Sequence, residues 1–537
     1  MNRPAPAERE LRFAGEIASR GLADGRLVIL GAAAPAVGSA PARGTPGEEA
    51  ARLNAAIEGA VAGLQALLDG LDEQAAGMVA FQIAMLGDES VAAPAHGAIR
   101  AGAAADAAWH GAMAALVADY ESADDPYFRA RASDIADIRE RVLRALSGER
   151  GHAIPPRSIV LADDLTPTAF LAADWTGSGI VLRRGSASGH VALLARARGV
   201  PMLVGTGARA EGGEEALLDA EEGLLVVAPS QATRAAFLRS RAKLAHRAER
   251  EAAHLAHPAT TARGERVKVL VNVAGPDDLA AVDPRHCDGI GLVRTEFLFH
   301  DAAGLPDEEI QFEAYRRVVG WAGGRPVTFR TLDAGGDKPI RGLTLEGESN
   351  PFLGVRGLRL SLRRPDVFLA QLRALLRAAA CGPVRIMLPM VTAPEEVEAA
   401  RGLLRRASGE LEAAGVEAGH AQLGIMVEVP AAAIAIDRFS AEFLSIGSND
   451  LVQYVTACGR DVAGLGALAR PDDPAVMRLI EHVVRHADVT GIEVGICGDM
   501  AGEPRFVPLL LGCGLRALSV APAALAATKA AVAAYGG

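Results

Sequence analysis

The feature that most constrains the fold is a series of short apolar segments in residues 266–537, which alternate with amphipathic helical patterns. PDVFLAQLRALLRAA and PAVMRLIEHVVRHA are two of those helical patterns. Eight strands that alternate with helices over about 270 residues predict a (β/α)8 barrel of the TIM type. The apolar segments are, in chain order, VKVLVNV, GIGLVR, PVTFRTL, VRIMLPM, LGIMVEV, EFLSIGS, IEVGICG and LRALSVA.

Polar side chains follow these segments, and the active site of such a barrel lies at the carboxyl ends of its strands. Arginine holds phosphate and carboxylate groups through paired N–H donors. Glu428 and Asp450 offer the hard oxygen ligands that Mg²⁺ takes together with substrate phosphate. The pattern favours a site for a small phosphorylated acid bound with a metal, although ordinary surface charges around a barrel rim have the same composition. The candidate cations are Arg294, Arg330, Lys338 and Arg356.

The first half of the chain predicts a second folding unit with a helical insertion. Residues 13–33 and 153–230 hold short apolar segments and turns, which favour an α/β layer. Between them, segments such as RLNAAIEGAVAGLQALLDGL repeat apolar residues at helical spacing. We therefore predict an α/β domain of residues 1–35 and 147–230, an inserted all-helical domain of residues 36–146, a linker helix of residues 231–257 and the barrel of residues 258–537.

Charge, hydropathy and cysteine content argue against several classes of function. The net charge is −11 and no basic stripe is present, so we expect no nucleic-acid partner. No apolar run approaches the roughly 18–20 residues that span a bilayer, and the N-terminus has no apolar signal core. We therefore expect no membrane segment and no export. Five scattered cysteines without metal-binding spacing indicate reduced thiols and a cytoplasmic protein.

A set of motifs in the barrel half carries a family resemblance. They are, in order, DGIGLVRTEFLF, TLDAGGDKP, NPFLGVRGLRL, LPMV, GIMVEVP, FLSIGSNDLVQY and GICGDMAG. This series resembles the phosphoenolpyruvate-binding barrel of enzyme I of the bacterial phosphotransferase system. Pyruvate phosphate dikinase and phosphoenolpyruvate synthase share that barrel, so the barrel alone does not separate the three.

Two upstream segments, SIVLADDLTPTAF and GSASGHVALLARARGVPMLVG, resemble the phosphohistidine domain of the same superfamily. His190 matches the phosphorylated histidine. Neutral imidazole is a nucleophile near pH 7, and a histidine just before a helix would place its phosphate near helix N–H groups. The domain order is that of enzyme I, since no Gly-rich phosphate loop or nucleotide-binding domain precedes this segment.

The resemblance implies a phosphoenolpyruvate–protein phosphotransferase. The phosphoryl group would pass to His190 and then to an HPr-like carrier docked on residues 36–146, with release of pyruvate. Cys497 would protonate the enolate carbon, and Glu428 with Asp450 would hold Mg²⁺. Family members form homodimers through the barrel. The substrate-binding residues implied are Arg294, Arg330, Lys338, Arg356, Asn449, Asp450 and Arg460.

The sequence departs from the family pattern near both candidate sites. Gly189 replaces the serine before the histidine, Ser186 replaces the second glycine of the preceding turn, and Gly459 replaces the aspartate before Arg460. Arg20 stands where the family has a proline.

Two alternatives stay open. One is a non-catalytic regulator that binds phosphoenolpyruvate, and the other is a fragment of an ATP-using dikinase or synthase. The sequence does not distinguish sugar uptake, nitrogen regulation and a dihydroxyacetone kinase route as the destination of the phosphate.

Overall fold

The structure is a computed structural model that forms two compact units, residues 1–243 and 244–537. The residues that it describes are 10–30, 42, 44–68, 73–122, 126–148, 154–187, 189–300, 305–336, 340, 342–345, 347–459, 465 and 468–537.

The first unit is built on one mixed sheet. Its strands are β1 (Leu11–Ala14), β2 (Glu16–Ser19), β3 (Leu22–Ile29), β4 (Ser158–Ala162), β5 (Gly179–Leu182), β6 (Met202–Val204), β7 (Glu215–Asp219) and β8 (Leu224–Val227). Their order across the sheet is β1-β8-β7-β3-β4-β5-β6-β2. Strands β3 to β6 pair in parallel, and the remaining pairs are antiparallel.

A helical insertion separates β3 from β4 in the chain, although these two strands are hydrogen-bonded neighbours in the sheet. Its helices are α1 (Pro46–Leu68), α2 (Glu73–Gly87), α3 (Glu89–Arg100), α4 (Ala105–Glu121) and α5 (Pro126–Ser147). On α1 the buried residues Leu53, Ala56, Ala60 and Leu64 recur at helical spacing and form one face. The predicted helical insertion is therefore confirmed.

The insertion and the sheet of the first unit share one apolar core. Trp109 and Ile138 of the insertion belong to the same buried cluster as Val160, Phe170 and Ile180 of the α/β part. Burial of apolar surface in one continuous cluster ties the two parts together. The other helices of this region are α6 (Pro167–Leu171), α7 (His190–Ala197) and α8 (Gln231–Ala252).

Helix α8 lies within the predicted linker helix, and the division between the two units falls inside it, after Lys243. The four-part boundaries drawn from the sequence stay a prediction.

The second unit is a closed barrel of eight parallel strands, as the apolar segments predict. The strands are β9 (Lys268–Val273), β10 (Ile290–Arg294), β11 (Val327–Arg330), β12 (Val384–Leu388), β13 (Ala421–Val427), β14 (Phe443–Gly447), β15 (Glu493–Cys497) and β16 (Ala517–Val520). Each strand overlaps one predicted segment, and β16 pairs with β9 to close the ring.

The helices of the barrel unit follow its strands. They are α9 (Phe297–His300), α10 (Glu308–Ala322), α11 (Leu358–Arg363), α12 (Pro365–Ala379), α13 (Pro394–Ala414), α14 (Pro430–Ile434), α15 (Ser448–Thr456), α16 (Pro474–Thr490), α17 (Asp499–Gly502), α18 (Val507–Gly512) and α19 (Leu525–Ala534). Short 3₁₀ helices span Pro276–Ala281, Pro284–His286, Pro351–Leu353, Ile436–Arg438 and Pro522–Ala524. Within the described ranges, no helix combines the length and apolar character needed to cross a membrane.

Candidate functional site

The carboxyl ends of the barrel strands bring most of the predicted site residues to one mouth. Arg294 and Arg330 are the last residues of β10 and β11, and their Cα atoms are register partners. Glu428 directly follows β13, and Cys497 ends β15. Asp450 is in the first turn of α15, just beyond β14. Because all eight strands are parallel, these positions share one end of the barrel.

Buried arginine and carboxylate side chains form a chain of ion pairs across this end of the barrel. Arg330 donates to Glu296 at 2.5 Å and lies 3.1 Å from a carboxylate oxygen of Asp333. The guanidinium of Arg356 contacts Asp333 at 3.0 Å through both Nε and Nη2. The same guanidinium donates to both carboxylate oxygens of Asp450, at 3.3 and 3.2 Å. Buried charges are tolerated when they are paired and hydrogen-bonded in this way.

The role of Arg356 as a substrate cation stays a prediction from the sequence. We predicted it as a substrate cation, but its side chain is only 1% exposed and its guanidinium binds two carboxylates. Burial alone would lower the pKa of Arg356, yet Asp333 and Asp450 raise it above its usual value. In this state, Arg356 organises the acidic residues of the site.

Glu428 is a buried carboxylate beside two others. It is 1% exposed, and its Oε1 accepts the backbone N–H of Met390 at 2.7 Å. Burial, followed by the charges of Asp450 and Asp333, raises the pKa of Glu428 to about 8, against the opposing charge of Arg330. Met390 has a φ of 56°, which non-glycine residues rarely adopt, and such strain gathers at functional sites.

Gly447, at the end of β14, allows this close packing around Glu428. A Cβ at position 447 would lie 2.8 Å from Oε2 and 2.9 Å from Cβ of Glu428. A larger residue would therefore displace the carboxylate.

Cys497 is held as a neutral thiol. It is 2% exposed, its sulfur accepts a hydrogen bond from Ser445 at 3.6 Å, and it donates to the carbonyl oxygen of Ile446 at 3.6 Å. Burial raises the pKa of Cys497 to about 11. The group can therefore donate a proton at neutral pH but is not a thiolate nucleophile.

Asn449 joins α15 to the segment after β15. Its side-chain amide donates to Asp499 at 3.2 Å, and its oxygen accepts the backbone N–H of Asp499 at 3.0 Å. Ser448 donates to the carbonyl oxygen of Cys497 at 2.9 Å. A cleft of about 480 Å³ opens beside these residues and is also lined by Arg470 and Arg505.

Three predicted site residues fall partly or wholly outside the described structure. Lys338 and Arg460 lie outside the described residues. His190 is the first residue of α7, and its side chain is outside the described part. The cap residue of that helix, Gly189, provides no side-chain hydrogen bond to the helix terminus.

The carboxylates at the mouth fit a divalent cation that is also held by a substrate. Among the described residues, no group of three or more Asp, Glu, His and Cys side chains forms a metal cage. Asp450 nevertheless contributes to the raised pKa of Glu428, so the two carboxylates interact. Mg²⁺ typically uses one or two carboxylates and completes its shell with water and phosphate. The donor set therefore suits such an ion.

Some residues that shape the site were not selected from the sequence. The hydroxyl of Tyr454 accepts from Arg356 at 3.4 Å and donates to the carbonyl oxygen of Phe352 at 2.7 Å. Tyr454 follows Asp450 by four residues on α15, a spacing that places both on one helix face and could have identified it.

Gln371, from α12, accepts the N–H of Leu332 at 3.0 Å and donates to Thr295 and Tyr315 at 3.1 Å each. These hydrogen bonds hold the backbone next to Asp333, and nothing in the local sequence predicts that role for a buried glutamine.

Three family models match the chain. The PEP-binding domain of PEP-utilising enzymes matches residues 248–536, the N-terminal domain matches residues 14–131, and the mobile domain matches residues 154–223. The first of these matches alone covers more than half of the chain.

Curated relatives agree with the family models. The chain is 37% identical over 500 residues to a phosphoenolpyruvate-protein phosphotransferase of Geobacillus stearothermophilus, covering 90% of this chain and 86% of that protein. It is 39% identical to the protein of that name from Listeria innocua, over 76% of this chain and 73% of the relative. A multiphosphoryl transfer protein of Escherichia coli is 36% identical over 78% of this chain and 52% of its own length. These matches, joined to the barrel mouth described above, show that the chain belongs to the family of the phosphoenolpyruvate-protein phosphotransferases, the enzyme I proteins among the PEP-utilising enzymes.

Proposed function

We propose that this chain transfers the phosphoryl group of phosphoenolpyruvate to His190 and then to a histidine of an HPr-like carrier protein, with release of pyruvate. The observation that carries the proposal is the buried array of arginines and carboxylates at the barrel mouth. It lies in a chain that aligns over 90% of its length with a phosphoenolpyruvate-protein phosphotransferase.

Arg294 and Arg330 would bind the phosphate of the substrate. Arg294 is exposed at the end of β10, beside Arg330 in the register of the two strands. Nε of Arg330 is buried and has no hydrogen-bond partner among the described residues, so its N–H would be satisfied by a substrate oxygen that reaches it. The Asn449 backbone would lie near the phosphate, and Asp450 would act on the substrate through the cation that it holds. Lys338 and Arg460 enter the proposal as substrate-binding residues through the family resemblance.

Glu428 and Asp450 would hold a divalent cation, for which we propose Mg²⁺. When bound, this ion supplies positive charge next to the phosphoryl and enolate oxygens. Arg356 keeps the Asp450 carboxylate in place through its two hydrogen bonds. Phosphoryl transfer depends mainly on positioning and charge stabilisation, which a preorganised array of this kind provides.

Two groups of the chain take part in bond changes. Nε2 of His190 forms a bond to phosphorus while the bond from phosphorus to the enolate oxygen breaks. The thiol of Cys497 then gives its proton to the enolate carbon, which yields pyruvate, and the thiolate regains a proton from solvent. A thiol whose pKa is about 11 remains protonated until that step.

The second transfer requires the carrier to reach His190. By resemblance, we assign carrier docking to the helical insertion, residues 36–146, and movement of the phosphohistidine domain to the linker helix. Homodimerisation through the barrel and a cytoplasmic location belong to the same proposal.

The test is incubation of the purified chain with ³²P-labelled phosphoenolpyruvate and Mg²⁺. We expect an acid-labile label on the wild type, no label on His190→Ala, and retained phosphoenolpyruvate binding by that variant. His246→Ala is the matched control, because His246 is an exposed histidine of α8, and it should label normally. Absence of label on the wild type would favour the non-catalytic regulator, and labelling from ATP would favour the dikinase or synthase.

A further inference from the structure

A buried carboxylate joins the helical insertion to the α/β part of the first unit. Asp137 of α5 is 0% exposed and sits among the buried side chains Ile135, Ile138 and Val142 of the same helix. Its Oδ2 accepts a hydrogen bond from the hydroxyl of Thr168 at 2.5 Å and one from the amide of Gln82 at 3.2 Å. Gln82 belongs to α2 and Thr168 to α6, so one oxygen atom links three helices.

Burying an aspartate on the apolar face of a helix lowers the stability of the fold unless hydrogen bonds compensate for the removal of its carboxylate from water. In other proteins, replacing buried ionic groups by apolar residues of similar shape is often neutral or stabilising. Asp137 also offsets the burial of the Arg141 guanidinium, whose pKa it raises against the effect of desolvation. Buried polar groups of this kind can instead fix one arrangement of packed elements over others. The hydrogen bond to Thr168 would act in this way because it joins the insertion to the sheet domain.

Thr168 is connected to the helix that begins at His190. Helix α6 is fixed at its start by Thr166, which accepts the N–H of Ala169, and by Pro167. Phe170 of α6 belongs to the same buried cluster as Val191 and Ala195 of α7. The guanidinium of Arg198, the residue that caps α7, lies 5.6 Å from the centre of the Phe170 ring. A displacement of Thr168 would therefore change the position of Phe170, and with it the packing of α7.

We infer that Asp137 is a positioning residue for the second phosphoryl transfer. Acting through Thr168, it holds the helical insertion, and a carrier docked on it, at a fixed orientation to the helix that begins at His190. The inference rests on the proposed function. Misplacement of reacting groups by about 1 Å can cost on the order of 100-fold in rate. The first transfer, from phosphoenolpyruvate to His190, does not use the insertion in the proposed mechanism, so we expect its rate to change little.

Thr168→Val is the principal variant, since it removes the hydroxyl while keeping the shape of the side chain. Thr168→Ser restores the donor, and Ile138→Val, one residue from Asp137, removes a buried methyl group without touching the hydrogen bond. Full-length proteins are compared in two single-turnover reactions, labelling by ³²P-phosphoenolpyruvate and transfer of that label to the HPr-type carrier of the same genome.

We expect Thr168→Val to slow transfer to the carrier at least 30-fold and to change self-phosphorylation less than 3-fold. Thr168→Ser and Ile138→Val should stay within about 3-fold of wild type in both reactions. Transfer by Thr168→Val at the wild-type rate, or equal losses in both reactions, would overturn the inference.

A double variant covers the case in which Thr168→Val folds poorly. Asp137→Leu with Thr168→Val removes both partners of the hydrogen bond together. Because the Gln82 amide and the Arg141 guanidinium then lose the carboxylate charge that offsets their burial, both reactions are run at a temperature at which circular dichroism shows recovered native structure. Slow transfer by the recovered protein supports a positioning role, whereas normal transfer means that the hydrogen bond serves stability alone. If the wild type takes no label from phosphoenolpyruvate, the proposed function fails instead.

Discussion

Cys497 lies at the end of β15 with 2% of its surface exposed, and burial raises the pKa of its thiol to about 11. The proton is present below that pKa and is lost only as the pH rises through it. In the proposed role of proton donor, the thiol would therefore stay protonated over the whole pH range in which a neutral histidine is a nucleophile.

Replacement of Cys497 by alanine should therefore stop carbon protonation while leaving substrate binding in place. We expect pyruvate formation to fall by about 100-fold or more and phosphoenolpyruvate affinity to change less than 3-fold, within the range that general acid catalysis supplies. Coupled pyruvate assays and calorimetric binding measure the two quantities. Cys381→Ala is the control at an exposed cysteine. Equal losses in binding and turnover would argue against the proton-donor role.

Glu428 provides the second prediction at the scale of single residues. Its carboxyl group has a pKa of about 8, raised by burial and by Asp450 and Asp333, so below pH 8 it carries a proton that a metal ion must displace. We expect Mn²⁺, used as a probe, to bind more tightly as the pH rises from 6.5 to 8.5 and to release protons. Calorimetry in two buffers with different ionisation enthalpies detects that release. A pH-independent affinity, or the same pH dependence in Glu428→Gln, would contradict it.

At the scale of elements, the amino-terminal end of the barrel is joined by ion pairs between strands. Arg385 of β12 contacts Glu493 of β15 at 3.0 Å, and Lys268 of β9 contacts the same carboxylate at 2.9 Å. Hydrogen bonds from Arg385, with a further contribution from Lys268, lower the pKa of Glu493 to about 2. This end is opposite to the site, so its charges serve stability.

Glu493→Gln should therefore destabilise the barrel in a pH-dependent way. The side chain is 34% exposed, so we discount the interaction for solvent screening and expect a loss of about 1 kcal/mol at pH 7. The folded pKa lies below the unfolded value, so the stabilisation is present above about pH 4.5 and declines as the pH falls toward 2. Urea unfolding from pH 7 down to about pH 2.5 should show a constant gap from wild type until about pH 4.5 and a narrowing gap below it, and a gap that stays constant down to about pH 2.5 would contradict the assignment.

Element-level prediction from the sequence worked best where a pattern is local. The barrel strands are continuous apolar segments that end in polar residues, so their number and order were predictable. The strand order of the first unit was harder to predict from the sequence, because β1 pairs with β8 and β2 pairs with β6 across long stretches of chain. The burial of Arg356 and the positive φ of Met390 arise from tertiary packing, since arginine is usually exposed.

At the scale of the whole molecule, the distribution of apolar cores predicts how the chain unfolds. One cluster unites the insertion with one face of the α/β sheet, a second cluster lies on the other face of that sheet, and a separate cluster fills the barrel unit. We expect calorimetry to resolve two transitions, with the insertion and the sheet melting together. Phosphoenolpyruvate with Mg²⁺ should raise only the transition of the barrel unit, because ligands stabilise the unit that binds them. Separate melting of the helical insertion would contradict the shared core.

The position of the insertion also has a consequence for biosynthesis. The ribosome completes β3 at Ile29, but the neighbouring strand β4 begins only at Ser158, after all five inserted helices. At roughly 5–20 residues per second, the interval between the two strands is on the order of ten seconds. Throughout that interval both edges of β3 lack a partner strand, because its other neighbour, β7, begins only at Glu215, and unpaired edges attract other chains. We therefore expect nascent chains to depend on chaperones, or on early collapse of the inserted helices, until β4 and β7 can pair with β3.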